Sequence, residues 1–593
     1  MADKQEEIGF LNKYNPEAGP NLEDAQVGAT ATASVTVEGQ KITQDILRID
    51  LIQPIDDHHV ARILIHDTEP LPSGQEVINV AKYTDLLGKS LTLIIEAREA
   101  YGKWEPIKLS FNGLVSKVDS MNATDGVNYF FITAHSPTIA MDGAKTNKFF
   151  YDQKASDIIG AVLQNYPVTV GNTEATKAQM KFCVQYRETD YDFVMRLAAA
   201  DGLFAYYNGK EFSVERASQK STAEVNWGAS LRAFLHGLGT ASPEFASSVY
   251  NYEQKKTFDQ DSKSLSLQSS VSGLSKVSSE ASKKIYKGSG FSDAPKSVVD
   301  AQGLDRVLHN ERGRAMAGMV VCQGLSDHPG VTLGRCLTVD KLGKLNGSYF
   351  VTRIHHIYEV ADGYRNRFTC VPSDMAHPRR ESGRPAITNL QSAVVTDNKD
   401  PEKMGRIKVT FPWSQGSDTI WVRVAVPHAG KDRGWFSLPE IDDEVLVGYE
   451  QGSPDLPVVI GAMYNKDNVP HGDTATDDNS IKGFITRSGN KIIINDKDGE
   501  EQISLVAKDG TKVILNSKDP SITVETTGDT TIKAKNITLK ADSKIKLDGG
   551  QIEIISAGDV KSEASMNMAT KAGIEYKIEG TMVTVKGTPI KLN

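Results

Sequence analysis

The sequence has no stretch approaching the ~18 uncharged apolar residues of a membrane span, and its amino-terminal MADKQEEIGFLNKYN carries no apolar core of signal-peptide length. A start in the cytoplasm is the expectation. Cysteine is scarce. Cys183, Cys322, Cys336 and Cys370 are too few and too scattered for a disulfide framework, and none lies in a CxxC pair that could grip zinc. Buried, reduced thiols are expected. An excess of positive charge is also lacking: 67 basic against 76 acidic residues give a formal charge of -9, which offers a nucleic-acid backbone no net attraction.

Catalytic signatures are missing as well. Gly88-Lys89-Ser90 ends like a phosphate-binding loop, but the glycine required five residues before Gly88 is Tyr83. His355-His356 falls in a predicted strand, where neighbours point to opposite faces and cannot jointly hold one metal from one side. No HExxH or GxSxG is present, and Glu440, Asp442, Asp443 and Glu444 cluster in a predicted loop without an identifiable pocket. No catalytic residue, cofactor or metal is expected.

What is present is β signal in a long chain. At 593 residues the chain exceeds one compact core, and three to five domains follow from roughly 100 to 200 residues per domain. Residues 1–30 read as a mobile or docking arm. Strand patterns recur at Ala31–Val37, Ala61–Asp67, Ser90–Ala97 and Asn128–Ala134. Helical segments are predicted at Ala155–Tyr166, over DYDFVMRLAAADG, which ends in a glycine suited to a C-cap, and near Asp305–Met319. Residues 255–300, rich in Ser and Lys, read as a connector, and Pro378–Pro385 as a linker.

The last ninety residues differ in kind. Apolar pairs two apart recur at Ile503/Leu505, Val513/Leu515, Ile522/Val524, Ile537/Leu539, Ile545/Leu547, Ile552/Ile554, Val583/Val585 and Ile590/Leu592. With weaker pairs such as Met566/Met568 filling the gaps, successive repeats start roughly six to ten residues apart, about eight on average, a solenoid-type period. Lys, Asp, Glu, Thr and Ser alternate with them, so each short strand has one dry and one wet face. Tyr576 is the only aromatic after Ile503, the last histidine is His471 and the last arginine Arg487. A single-chain parallel β-helix needs about twenty residues per coil to enclose its own core, so eight are expected to supply one side of a prism wound from three chains, with a monomeric solenoid as the alternative. Asp498-Gly499 and Asp509-Gly510 carry a two-residue hairpin signal; DKDGEE lacks the acidic spacing of a calcium loop.

Several segments are specific enough to name a family. GRIKVTFPW (Gly405–Trp413), WVRVAVPHAG (Trp421–Gly430), GWFSLPEIDDEVLVGYEQGSPDLPVVIG (Gly434–Gly461) and SGNKIIINDKDGEEQISL (Ser488–Leu505) resemble the spike of contractile injection machines. That family is VgrG in type VI secretion, and includes the hub-spikes of phage tails and of antifeeding-prophage-like extracellular particles. Upstream, FNGLVSKVDS (Phe111–Ser120), QYRETDYDFVMRLAAADGLFAYY (Gln185–Tyr207) and GSYFVTRIHHIYEVADGYRNRFTCVP (Gly347–Pro372) look like its hub half.

The resemblance implies a mainly β fold with a hub of two tube-like β-barrels with short helices (31–385), an OB-fold collar (390–470), a linker and hairpin (471–500), and an intertwined trimeric parallel β-helix needle (501–593). It implies a non-enzymatic homotrimer that seats on a hexameric, Hcp-like inner tube among baseplate proteins. A PAAR-repeat protein would cap a blunt tip formed by Thr588, Pro589, Ile590, Lys591, Leu592 and Asn593. With no histidine after His471, no histidine-held metal is expected in the needle. Tyr464–Ile481 leaves no room for an inserted lysozyme domain and the chain stops at Asn593, so toxic activity would travel as separate cargo. The protein would be cytoplasmic until assembly and then driven through the target membrane. A phage-tail-like extracellular particle remains an alternative to type VI secretion; a cell-wall hydrolase hub and a trimeric receptor-binding fibre are the rivals from other classes.

Overall fold

A computed structural model describes residues 29–67, 85–98, 105–122, 128–242, 244–264, 273–288, 290–291, 300–379 and 386–591. Nearly all of the amino-terminal arm, parts of the Ser/Lys-rich connector, residues 380–385 of the linker, and Leu592 and Asn593 of the expected tip lie outside these. The chain divides into two compact units at Val469/Pro470.

The first unit is built on a thirteen-stranded sheet. Strands Ala31–Val37, Ser90–Ala97, Ile107–Asn122, Asn128–His135, Val60–Asp67 and Asp45–Pro54 form one half, and Gly347–Glu359, Gly363–Pro372, Val320–Ser326 and Leu231–Leu238 continue it. The seam is the antiparallel pairing of Asp45–Pro54 with Gly347–Glu359, registering Ile52 with His355 and Asp50 with Ile357. Two hydrophobic cores lie along the sheet. One holds Val35, Ile49, Ile63, Phe111, Phe130 and Phe193; the other holds Val225, Val320, Phe350, Ile354 and Phe368.

The short strand Phe204–Tyr207 is buried at all four positions. Strand side chains alternate in direction, so Ala205 and Tyr207 enter the first core while Phe204 and Tyr206 enter the second. One strand thereby locks both halves.

The three predicted helices follow their sequence signals, whereas Gly273–Ile285, inside the stretch read as a connector, is a helix that was not expected. Asp190–Ala200 is capped at its start by the Thr189 side chain, which accepts from Asp192 N. At its end Gly202 takes φ +70, while Leu203 N and Gly202 N donate to Ala198 O and Ala199 O at 2.9 and 3.1 Å, the bonding pattern of a Schellman cap. The third predicted helix runs Ala301–Ala317, a few residues earlier than its pattern suggests, because Asp300 caps it by accepting from Gly303 N.

Strands Gln391–Asp397, Arg406–Thr410, Val422–Val424, Pro457–Met463 and Glu444–Tyr449 close into a barrel in that order. Its interior is Ala393, Val395, Ile407, Val409, Phe411, Val422, Val445, Val447 and Val459.

In the second unit, Ile481–Ile485, Lys491–Asn495, Gln502–Val506, Lys512–Asn516 and Ser521–Glu525 pair in sequence order as an antiparallel meander. Residues 502–525, expected at the start of the parallel needle, therefore belong to this meander, because apolar alternation is the same in both kinds of sheet. The hairpins exist where Asp-Gly marks them, but their loops are longer than two residues. At Asp509-Gly510 the flanking pair is Ala507 and Thr511, with Ala507 N bonded to Thr511 O at 2.8 Å, and Gly510 takes φ +90. This is a three-residue loop with glycine in the left-handed position; Gly489 repeats it at φ +91.

Candidate functional site

Among the described residues no compact catalytic constellation stands out, and no group of His, Cys, Asp or Glu is arranged to hold a metal. His355 and His356 do face opposite ways. His355 Nε2 meets Asp50 Oδ1 at 2.9 Å, whereas His356 is fully buried between Gln53 Oε1 (3.1 Å) and the Tyr364 hydroxyl (2.7 Å). The Gln53 amide also reaches His59 Nδ1 at 2.9 Å, so one glutamine bridges two buried rings. Burial pushes both histidines down to about 3, so both are neutral at pH 7. All four cysteines are buried and free, as expected.

Two features carry mechanical meaning instead. The first is the junction between hub and barrel. A two-stranded ribbon, Thr146–Lys154 with Gln179–Glu188, turns Phe149, Phe182 and Tyr186 toward the barrel, while Phe150 and Cys183 join the first hub core. Trp413 of the barrel fits this face. Its ring centroid lies 5.3 Å from Phe149, 5.3 Å from Tyr186 and 4.9 Å from Phe411. Its Nε1 donates to Gln391 Oε1 at 2.8 Å, and Gln391 Nε2 donates to the Tyr186 hydroxyl at 2.7 Å.

Polar pins surround the rings. Val184 N donates to Asp455 Oδ1 at 2.7 Å, and the Tyr151 hydroxyl donates to Asp418 O. Buried Arg406 grips Asp400 through two bonds of 2.8 and 3.1 Å, lies 3.8 Å from Glu253 of the hub, and by its hydrogen bonds holds the Asp400 carboxyl down at about 2. Arg423 stacks over Tyr252 at 4.6 Å. Trp413→Ala should destabilise the junction by about 3 kcal/mol, since it opens a cavity among three rings and strands the Gln391 carbonyl. Thermal unfolding should show the barrel transition moving to lower temperature while the hub transition stays.

Sequence reasoning missed this junction. Gly405–Trp413 marked a barrel strand, but nothing local reveals that Phe149, more than 260 positions earlier, is its neighbour.

The second feature is an apolar panel and strip in the second unit. Cross-strand register lines up Ile492 with Leu505 and Val513, and Ile494 with Ile503 and Leu515. Ile522 and Val524 complete the array opposite Leu515 and Val513. The panel is exposed in the single chain, with Ile522 at 72%. From Thr526 to Lys591 the chain pairs with no other strand among the described residues. There Ile537, Leu539, Ile545, Leu547, Ile552, Ile554 and Met566 are all exposed.

Between those residues run ion pairs two positions apart, Lys546 with Asp548, Lys561 with Glu563 and Lys577 with Glu579. Residues two apart meet only where successive side chains alternate, so charge keeps to one side and Ile545/Leu547 or Tyr576/Ile578 to the other. Of the expected tip residues, Thr588, Pro589, Ile590 and Lys591 are exposed at the end of this strip.

Comparison with known proteins places these features. Residues 79–362 match the phage tail baseplate hub family, and residues 391–464 match the type VI secretion system/phage-baseplate injector OB domain. The chain is 25% identical over 504 residues to the type VI secretion spike protein VgrG4b of Pseudomonas aeruginosa, covering 75% of this chain and 61% of that protein. To VgrG1c of the same organism it is 24% identical, covering 76% and 65%.

A further relative, the actin cross-linking toxin VgrG1 of Vibrio cholerae, is 25% identical over 61% of this chain but only 36% of its own length. The chain thus spans less than two thirds of the length of these relatives. A solved structure of the Francisella PdpA–VgrG complex contains a chain of the same fold, with a TM-score of 0.53 at 10% identity, covering 87% of this chain and 83% of that one. With the hub match followed by the OB-domain match in one chain, and spike proteins as relatives across three quarters of it, the chain belongs to the VgrG and baseplate hub-spike family of contractile injection machines.

Proposed function

We propose that three copies of this chain assemble into the hub and spike of a contractile injection machine and act mechanically. The observation that carries this is the unpaired strip from Thr526 to Lys591, whose apolar side chains and backbone groups have no partner strand among the described residues. An exposed apolar face of that length is not stable in water, and unpaired strand backbone is a template for another strand. A chain with one dry face and an eight-residue period satisfies both needs by winding with two identical copies. Covering the exposed half of each panel residue gains about 1 kcal/mol, repeated along the whole needle and in three chains.

In this reading the hub sheet seats on a hexameric, Hcp-like inner tube, the barrel is the collar, and the junction around Trp413 transmits thrust from hub to needle. The assembled spike leaves the cell with the machine and passes through the target envelope. The chain itself works without catalysis: its relatives are named as spike proteins, and the toxin among them extends well beyond the part that this chain matches.

A PAAR-repeat tip protein would dock on Thr588–Asn593. Deleting those six residues should abolish co-purification of the tip protein and leave the oligomer intact; retained binding would remove the docking assignment. An extracellular phage-tail-like particle remains the second reading of the same geometry.

A further inference from the structure

The barrel carries two exposed surfaces that lie outside its core and outside its junction with the hub. The first is a finger. Ala429 pairs with Gly434 and Gly430 with Arg433, and Trp435 N donates to His428 O at 2.8 Å. A side chain at Gly434 would strike His428 O at 2.7 Å, so glycine permits the tight return. This rigid hairpin ends in adjacent aromatics, Trp435 at 54% and Phe436 at 80% exposure. Lys431 and Arg433 against Asp432 leave it a net positive charge.

The second surface is the outer face of strands Gln391–Asp397, Glu444–Tyr449 and Pro457–Met463. Leu390, Val394, Ile460 and Met463 stand there, each 40 to 53% exposed. Gly448 lies between Leu390 and Ile460, whose side chains would meet a Cβ built on it at 3.4 and 3.7 Å, whereas a Cβ at Gly461 would meet nothing within 4 Å. The face is therefore a shallow apolar notch with a glycine floor. Its rim is acidic: Val394 registers with Glu444 and Glu444 with Met463, and Glu440, Asp442 and Asp443 lead into the same strand.

Placement decides what fills the notch. Around the closed barrel the central strand of the notch, Glu444–Tyr449, lies opposite Arg406–Thr410 and Val422–Val424. The finger springs from the latter side, where the Phe436 ring lies 3.5 Å from a Cβ built on Gly405. A barrel cannot place its own finger in its own notch. A basic aromatic finger on one side and an acidic-rimmed apolar notch on the other make a heterologous contact that closes into a ring, with charge guiding the register.

We propose that the Trp435–Phe436 finger of one protomer seats in the notch of the next protomer's barrel, closing a three-fold ring of collars. This rests on the trimeric reading but assigns it an interface outside the needle. The test is to place the photo-crosslinking residue p-benzoylphenylalanine at Phe436 in the full chain and irradiate. Crosslinks between chains that map by mass spectrometry to Leu390–Val394, Leu446 or Ile460–Met463 are expected.

The same residue placed at Val394 should reciprocally capture His428–Phe436 of another chain. A protein that is trimeric by mass, but whose residue 436 crosslinks only within its own chain or not at all, overturns the finger assignment and leaves the trimer standing. A monomeric protein overturns both.

Discussion

Replacing Ile545 and Leu547 together by aspartate should leave the chain unable to trimerise through its needle. Both residues lie on the dry side of the strip, alternating with the ion pair of Lys546 and Asp548 on the wet side. Three chains would bring six carboxylates to one layer of the axis. Burying even a neutral polar group without a partner costs roughly 1 to 3 kcal/mol, and a charge costs more, so the layer would lose on the order of 10 kcal/mol. Lys546→Asp, one position away, is the control: it also adds an acidic residue, but on the wet face, and should leave the trimer intact. Sedimentation velocity of both variants distinguishes the cases. Equal behaviour of the two would mean that the alternation has no inside and outside.

The second large effect concerns acid. His59 and His356 sit fully buried around Gln53, held down to about 3 by burial, and His377 is pushed down to about 4 for the same reason. In the unfolded chain each would titrate near 6.5. Below that pH the unfolded state binds protons that the folded state refuses, so stability falls as pH drops from 6.5 toward 3, by about 1.4 kcal/mol per pH unit for each ring.

For the two rings on Gln53 alone the loss reaches on the order of 7 kcal/mol by pH 4, comparable with the whole stability of a typical domain. Circular dichroism across this range should show the hub unfolding between pH 6 and pH 4. His356→Gln should flatten the dependence by about one proton, even though it loses the Tyr364 contact and starts from lower stability at pH 7.5. An unchanged slope would mean that His356 is protonated in the folded hub.

The sequence shows local features well and distant pairings poorly. Ala31–Val37 and Ser90–Ala97 are strands at the residues their alternation marks, and the Asp190 helix ends at the glycine that suggested it. Each of these signals is complete within ten residues or so. The seam joining Asp45–Pro54 to Gly347–Glu359 is different: its two strands are apolar alternations like any other, and nothing in either names its partner 300 positions away.

The boundary between meander and needle failed for a related reason. Gln502–Val506 and Lys512–Asn516 present the same period of two whether they pair antiparallel with neighbours or parallel with other chains. Only the turns between them discriminate, and the left-handed glycines Gly489 and Gly510 were that signal. The Trp413 junction was not legible. The segment Gly405–Trp413 reads only as part of a family motif, and the ribbon of Phe149, Phe182 and Tyr186 that receives Trp413 is brought to it by tertiary contact alone.

The central claim is that the apolar strip of each chain is closed by two identical copies. The most direct test is the mass of the purified full-length protein by sedimentation equilibrium. Three times 64.6 kDa, holding on dilution to nanomolar concentration, is the predicted result. A folded, soluble species of 64.6 kDa that keeps its β-sheet circular dichroism would contradict it.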